Sequence, residues 1–343
     1  MKPQKTYTLT FILLLLLVIL LFFVNVSLGS VSIPFSDIVN SFFTDASAYT
    51  NKEYIIQNYR LPKAITAILV GSGLGISGLL MQTLFRNPLA GPFVLGITSG
   101  ASLGVALVIM GSSVIGGVFT ALLISKWSLV IAASLGSFVV LLTVLIVSSK
   151  VRDTMAILII GLMFGSITSA VVSVLSYFSS AEELQQYIFW GFGSLGDLQW
   201  EELGVFASIY AVGLVFSIAS IKALNTLLLG ENYAKSLGLD LKKSRLIIII
   251  ATSLLAGTIT AFAGPIAFIG LAIPHITRLV FNTANHKILI PAVFLSGAII
   301  MLICDSIAQL PNTDYTLPIN AITSLIGAPV VIWLLVRKRK MVF

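Results

Sequence analysis

Charge is what this sequence has least of. Lys, Arg, Asp and Glu together make up 10% of its 343 residues, where a soluble chain carries about 25%. A water-soluble protein of this length has too much surface to cover with so few charges. Cysteine is nearly absent too: Cys304 stands alone, which excludes an internal disulfide scaffold. The two histidines, His275 and His286, have no further ligand at metal-binding spacing, so neither a zinc nor a haem site is expected. No Gly-rich loop ends in Gly-Lys-Ser/Thr, which removes that route to ATP hydrolysis. Asp305 is the one clear acid inside an apolar run, leaving little material for a proton relay or voltage sensor. The net charge of +7 is spread over short loops and the terminal Arg337-Lys338-Arg339-Lys340, a distribution that argues against nucleic acid as a partner.

What remains is apolar: 57% of positions are hydrophobic and the mean hydropathy is +1.06. A helical crossing needs about 20 mostly apolar residues. The runs here are far longer than the alternating segments of about 10 residues that build a β-barrel. The sequence therefore predicts an all-α polytopic membrane protein, one domain over 1–343 with about ten spans. They fall at 9–28, 62–84, 92–111, 127–148, 154–178, 202–221, 246–263, 268–280, 288–308 and 318–336. The first, although it follows Lys2 and Lys5 as a signal peptide would, has a long core and no convincing Ala-x-Ala site. It reads as a retained span. The eighth is short, and Gly264-Pro265 with Pro274 predicts a broken helix, tolerable in a bilayer only where freed backbone groups are covered. The stretch 112–126 reads as a loop packed at the membrane surface.

Ten spans put both termini on one side. With the termini inside, 16 of the 20 basic residues lie in internal stretches, leaving Lys52, Arg60, Lys63 and Lys126 outside. That asymmetry predicts cytoplasmic termini. Residues 48 and 235 then belong on opposite faces. Two polar excursions, 30–61 outside and 222–245 inside, are too small to be domains, yet either could dock one.

Three short constellations stand out within this frame. Arg86-Asn87-Pro88 opens a basic turn between spans two and three, either a rigid connector or a gate element. Within the inner excursion, Leu229, Gly230, Glu231, Tyr233, Ala234, Leu237 and Gly238 form a glycine-bounded island with a small apolar face. That face either lies on lipid or docks a separate cytoplasmic protein. Gly264, Pro265, Pro274, His275 and Arg278 join spans seven and eight, with His275 and Arg278 at i,i+3 near a helix C-terminus. His275 reads first as a structural residue.

These blocks carry a resemblance. Tyr59-Arg60-Leu61-Pro62-Lys63, the glycine run Gly71–Gln82, Arg86–Pro92 with Leu95-Gly96, Leu229–Gly238, Ala263–Arg278 and Gly327-Ala328-Pro329 resemble the signatures of the iron-siderophore, haem and vitamin B12 importer permeases, the membrane subunits of type II ABC importers. The resemblance runs in order from about 10 to 340. It implies a bacterial cytoplasmic-membrane permease paired with a second permease subunit, identical or paralogous. It also implies two cytoplasmic ATP-binding cassette subunits carrying ATP and Mg, and an extracytoplasmic substrate-binding protein. No cofactor and no catalysis belong to this chain itself. Leu229–Gly238 would be the element coupling to the ATPase, and Arg60 and Lys63 the basic residues that receive the binding protein. Ferric siderophore is the first cargo implied, with cobalamin or haem as the alternative and a non-transporting membrane subunit as a third reading. Two departures sit near the outer mouth: a basic family position falls on Gln309, and the usual Glu-x-Pro-x-Gly reads Thr316-Leu317-Pro318-Ile319-Asn320.

Overall fold

The computed structural model describes residues 4–29, 31, 33–43, 50–111, 125–150, 154–310, 313 and 315–336. Every regular element among them is helical. In chain order these are α1 (Gln4–Ser27), α2 (Phe35–Ser41), α3 (Asn51–Ile55), α4 (Leu61–Leu84), α5 (Ile97–Ile109), α6 (Lys126–Lys150), α7 (Thr154–Phe178) and α8 (Ala181–Gly191). There follow α9 (Trp200–Ala219), α10 (Ile221–Leu227), α11 (Glu231–Ser236), α12 (Leu241–Ala263), α13 (Ile269–Phe281), α14 (His286–Ala308) and α15 (Ile319–Val336). Seven helical stretches among the described residues are long and apolar enough to span a bilayer. Three shorter apolar helices, Ile97–Ile109, Ile269–Phe281 and Ile319–Trp333, complete the ten.

Several boundaries differ from the sequence reading for local reasons. The second span is entered early: α3 passes through a π-turn at Ile56–Arg60 straight into α4, giving a 34-residue stretch, Asn51–Leu84. The third is shortened at its start. Pro92 opens a 3-10 turn to Leu95, and Gly96 (φ 72°) then redirects the chain into α5. Of the expected surface loop, residues 112–124 lie outside the described residues, and Lys126 already begins α6.

By internal packing the chain divides into two compact units. The first comprises residues 1–79, 194–211 and 266–343. Here α14 packs against α1, α13 and α15. The approaches of α14 and α13 to α4 depend on glycine: a Cβ on Gly71 would overlap the carbonyl oxygen of Gly297 in α14, and one on Gly78 that of Gly270 in α13. Without hydrocarbon exclusion to drive them together, membrane helices gain from such backbone proximity. By contrast α1 buries only 11% of its apolar window, as a helix apolar on every side and facing lipid would. Its first turns stack Tyr7 and Phe11 on Phe281, with ring centroids 5.8 and 4.9 Å apart.

The second unit comprises residues 80–193 and 212–265. Its centre is the pairing of α5 with α6, where Gly100 and Gly136 meet backbone to backbone and Ser137 Oγ donates to the Ile97 carbonyl at 3.0 Å. Helix α12 packs on both. Helix α8 starts with a reciprocal cap in which the Ser180 hydroxyl accepts from Glu183 N–H while the Glu183 carboxylate accepts from Ser180 N–H.

Candidate functional site

In the second unit the 222–245 excursion folds as α10, the short α11 and the start of α12. Gly230 has φ 99° and ψ 152°, a conformation open essentially to glycine, so the chain can turn sharply before Glu231. The far end of α11 closes with a pair of bonds: Leu239 N–H donates to the Ala234 carbonyl and Gly238 N–H to that of Lys235, both at 3.0 Å. With Gly238 at φ 83°, this is a Schellman stop. Asp240 then caps α12 by accepting from Lys243 N–H at 3.0 Å.

The apolar island is thereby sorted into two faces. Ala234 is fully buried and packs α11 onto its own chain, so it is not part of an exposed docking face. Leu229, Tyr233 and Leu237 are each more than half exposed. Glu231 Oε1 meets Arg245 Nη2 at 2.7 Å, tying α11 to the first turns of α12.

The structure also brings the Arg86 turn to this place. Helix α4 ends in a second Schellman stop, Asn87 N–H to Gln82 carbonyl and Arg86 N–H to Thr83 carbonyl, but the left-handed position is filled by arginine at φ 47°. A non-glycine residue there costs about 1–2 kcal/mol. It leaves the exposed Arg86 guanidinium beside Gly230, where an added Cβ would lie 3.4 Å from Nη1. Asn87 and Pro88 form the rigid corner: the Asn87 side chain accepts from Leu89 N–H at 2.9 Å and its carbonyl from Ala90 N–H at 3.1 Å.

The break before span eight is real. In the second unit Gly264 (φ 76°) sits so close to Trp190 that a Cβ would be 2.8 Å from its carbonyl oxygen. In the first unit Phe268, at φ 64°, caps α13, which carries Pro274, a buried His275 and a half-buried Arg278. Two residues of α15 hold this corner: Asn320 Oδ1 accepts from Ala267 N–H at 3.0 Å, and Gly327 leaves the space that the Phe268 side chain fills. The departure to Asn320 thus has a structural partner, a freed backbone donor of the broken segment.

Arg60 and Lys63, both in the first unit, engage their own chain. The Arg60 guanidinium is buried and donates to the carbonyls of Val26 and Ser27, acceptors that the end of α1 leaves open, and to that of Val31 beyond it. Lys63 Nζ lies 3.2 Å from Asp305 Oδ1 and keeps about a fifth of its side chain exposed. Asp305 also accepts from Asn25 Nδ2 at 2.9 Å and from Gln309 Nε2 at 2.8 Å. One buried carboxylate so joins α1, α4 and α14. Asp305→Ala is expected to destabilise the protein by about 3–5 kcal/mol, the effect of breaking a buried pair from one side. Lys63→Met combined with Asp305→Leu should recover most of it. Thermal unfolding in detergent checks this, and equal losses in the single and double variants would contradict it.

Among the described residues no group of three His, Cys, Asp or Glu could hold a metal ion. The profile of the FecCD transport family matches residues 16–337.

The chain belongs to the FecCD transport family.

The vitamin B12 import system permease protein BtuC of Salmonella paratyphi A is 36% identical over 289 residues, covering 84% of this chain and 85% of that protein. The BtuC of Klebsiella pneumoniae is 38% identical over 288 residues, 84% of each chain. A solved ABC transporter described as of metal-chelate type, in an inward-facing conformation, superposes with a TM-score of 0.81. It is 31% identical, and the match covers 97% of this chain and 100% of that one. As a FecCD member the chain is a permease of a metal-chelate type ABC importer, a multi-pass helical membrane protein that performs no catalysis itself.

Proposed function

We propose that this FecCD chain pairs with a second permease subunit, is driven by two cytoplasmic ATP-binding cassette subunits carrying ATP and Mg, and receives cobalamin from an extracytoplasmic binding protein. The carrying observation for the drive is the exposed triplet Leu229, Tyr233 and Leu237, on and directly flanking a short helix that is itself fastened to the permease body. Apolar side chains so displayed on a polar excursion need a cover, and a protein groove supplies one. The basic balance of the sequence supports a cytosolic position for this excursion and for both termini. By the same charge balance Lys63 lies outside, and, more exposed than Arg60, it is one basic group that an acidic binding protein could engage.

The cargo reading reverses the order implied by the sequence alone, where ferric siderophore came first. Support for cobalamin comes from the BtuC relatives, vitamin B12 import permeases at 36–38% identity over most of both chains. For the path itself, α7 offers an exposed row of small hydroxyls, Ser166, Ser169 and Ser173, inside an otherwise apolar span. The Ser166 and Ser173 hydroxyls fold back onto carbonyls of their own helix, which suits a neutral, weakly binding wall.

Uptake into proteoliposomes holding the assembled complex tests this reading, with cyanocobalamin, ferrichrome and haemin compared alongside the cognate binding protein. ATP-dependent accumulation of cyanocobalamin is expected. Uptake of ferrichrome or haemin in its place overturns the cargo assignment. No ATP-dependent uptake of any of the three overturns the importer reading.

A further inference from the structure

The short helix α11 is hinged at both ends. Gly230 at φ 99° precedes it and Gly238 at φ 83° follows it, and neither backbone conformation is one that a side-chain-bearing residue holds readily. Seven residues between two such pivots make a poor lever. A push on Tyr233 and Leu237, which lie between the pivots, would rotate the helix about them and leave the spans behind it where they were. Besides the backbone bonds that close its C-terminal end, two side-chain contacts oppose that rotation. Ala234 is fully buried and packs the middle of the helix inward, but as a methyl it resists sliding weakly. The other is directional: Glu231 Oε1 to Arg245 Nη2, 2.7 Å.

Its placement matters more than its strength. Glu231 is the first residue of α11, immediately after the Gly230 pivot, and Arg245 is the fifth residue of α12, past the Gly238 pivot and the Asp240 cap. The pair therefore bridges the turn from its far side and closes a triangle of α11, the 237–240 corner and the first turns of α12. With that triangle closed, a displacement of the exposed triplet moves α12 with it. Helix α12 is 23 residues long and packs on α5 and α6, so the load reaches the core of the second unit. The Asp240 cap serves the same end by keeping the first turn of α12 formed up to Arg245. Both partners remain partly solvated, at 18% and 32% side-chain exposure, and a pair of this kind adds little to global stability. A contact that contributes little to the fold, yet spans both hinges, suits transmission better than support.

We infer that Glu231 and Arg245 are positioning residues that lock the ATPase-facing helix α11 to the seventh span, so that nucleotide-driven movement passes into the permease body. This rests on the reading of α11 as the ATPase contact and extends it to the route by which the movement leaves that contact.

The assembled complex, in a Cys304→Ala background, tests it with spin labels at Lys235→Cys and Lys242→Cys, one on each side of the hinge. With the tie intact, the distance between labels should stay single-valued and unchanged when Mg and a non-hydrolysable ATP analogue are added. Glu231→Arg or Arg245→Glu should let nucleotide shift or broaden it by about 5 Å, the scale of one-turn slippage of an element. The exchanged pair, Glu231→Arg with Arg245→Glu, should return it to the original value. In parallel, cyanocobalamin moved per ATP hydrolysed should fall about fivefold or more in each single variant and recover in the exchanged pair. ATPase association should hold in Arg245→Glu, whose residue lies on α12 outside the 229–238 island. A nucleotide-dependent distance in the unmodified pair, or single variants indistinguishable from it, overturns the lock. Recovery of distance without the exchanged charges being needed does the same. Failure of the ATPase to associate with the unmodified chain is a different result and speaks against the underlying assignment of α11.

Discussion

Replacing both Tyr233 and Leu237 with aspartate is expected to release the ATPase subunits and abolish ATP-driven uptake. Each side chain is more than half exposed on α11, while the helix remains pinned through Ala234 and Glu231. The substitutions therefore remove the displayed apolar surface with little effect on the permease fold. Aromatic and aliphatic anchors at an interface commonly contribute about 2 kcal/mol or more each. Losing two, with charges left in their place, should weaken association roughly a thousandfold. Lys235→Ala, on the same helix and solvent-facing, serves as the comparison and should change association by no more than about threefold. Co-purification of the ATPase from detergent checks the first effect and proteoliposome uptake the second. Normal values in both for the double aspartate variant would remove the ground for placing the coupling contact on α11.

Gly78→Leu is expected to have the largest effect on the fold. A Cβ there would occupy the position of the Gly270 carbonyl oxygen, a backbone atom in α13 that no side-chain rotation can move aside. Overpacking of a well-packed interior costs about 1–3 kcal/mol when side chains can adjust, and more when helices must separate. Helix α13 is also the one held at Phe268 by Asn320 and Gly327, so it has little freedom to retreat. Loss of monodisperse protein on size exclusion is the expected outcome. Gly204→Ala in α9 has nothing within 4 Å of the added atom and should leave expression and melting temperature unchanged or slightly raised. A Gly78→Leu variant as stable as this control would show that α4 and α13 are not packed backbone to backbone.

The spans and the short glycine-bounded helix α11 were legible in the sequence because their signals are local. An apolar run of about 20 residues is its own evidence for a helix in lipid, and Gly230 and Gly238 bound α11 within nine residues of chain. The Gly264-Pro265 punctuation likewise located the break before α13, whereas Pro274 lies inside the continuous helix Ile269–Phe281 and does not break it. Long-range partners were not legible. Asn25 and Asp305 are 280 residues apart, and nothing near either names the other. Arg60 and Lys63 read as outward-facing cations because a sequence shows charge and not direction. The open carbonyls at the end of α1 and the carboxylate of Asp305 give them inward partners. Arg245 was hidden in plain view as one more basic residue of the Lys242-Lys243-Ser244-Arg245 run, where charge count alone was informative. Arg86 shows a subtler limit. Its left-handed conformation belongs to a position that usually selects glycine, so the Schellman stop after α4 carried no glycine signal to read.

The sidedness of residue 235 tests the central claim most directly, because an ATPase can act on α11 only from the cytosol. Lys235→Cys and Ala48→Cys, each in a Cys304→Ala background, are exposed to a membrane-impermeant maleimide in intact cells and in inverted vesicles. Cysteine 48 should react in intact cells, and cysteine 235 only in inverted vesicles, with protection when the ATPase is bound. Reaction of cysteine 235 in intact cells at the rate of cysteine 48 would contradict it.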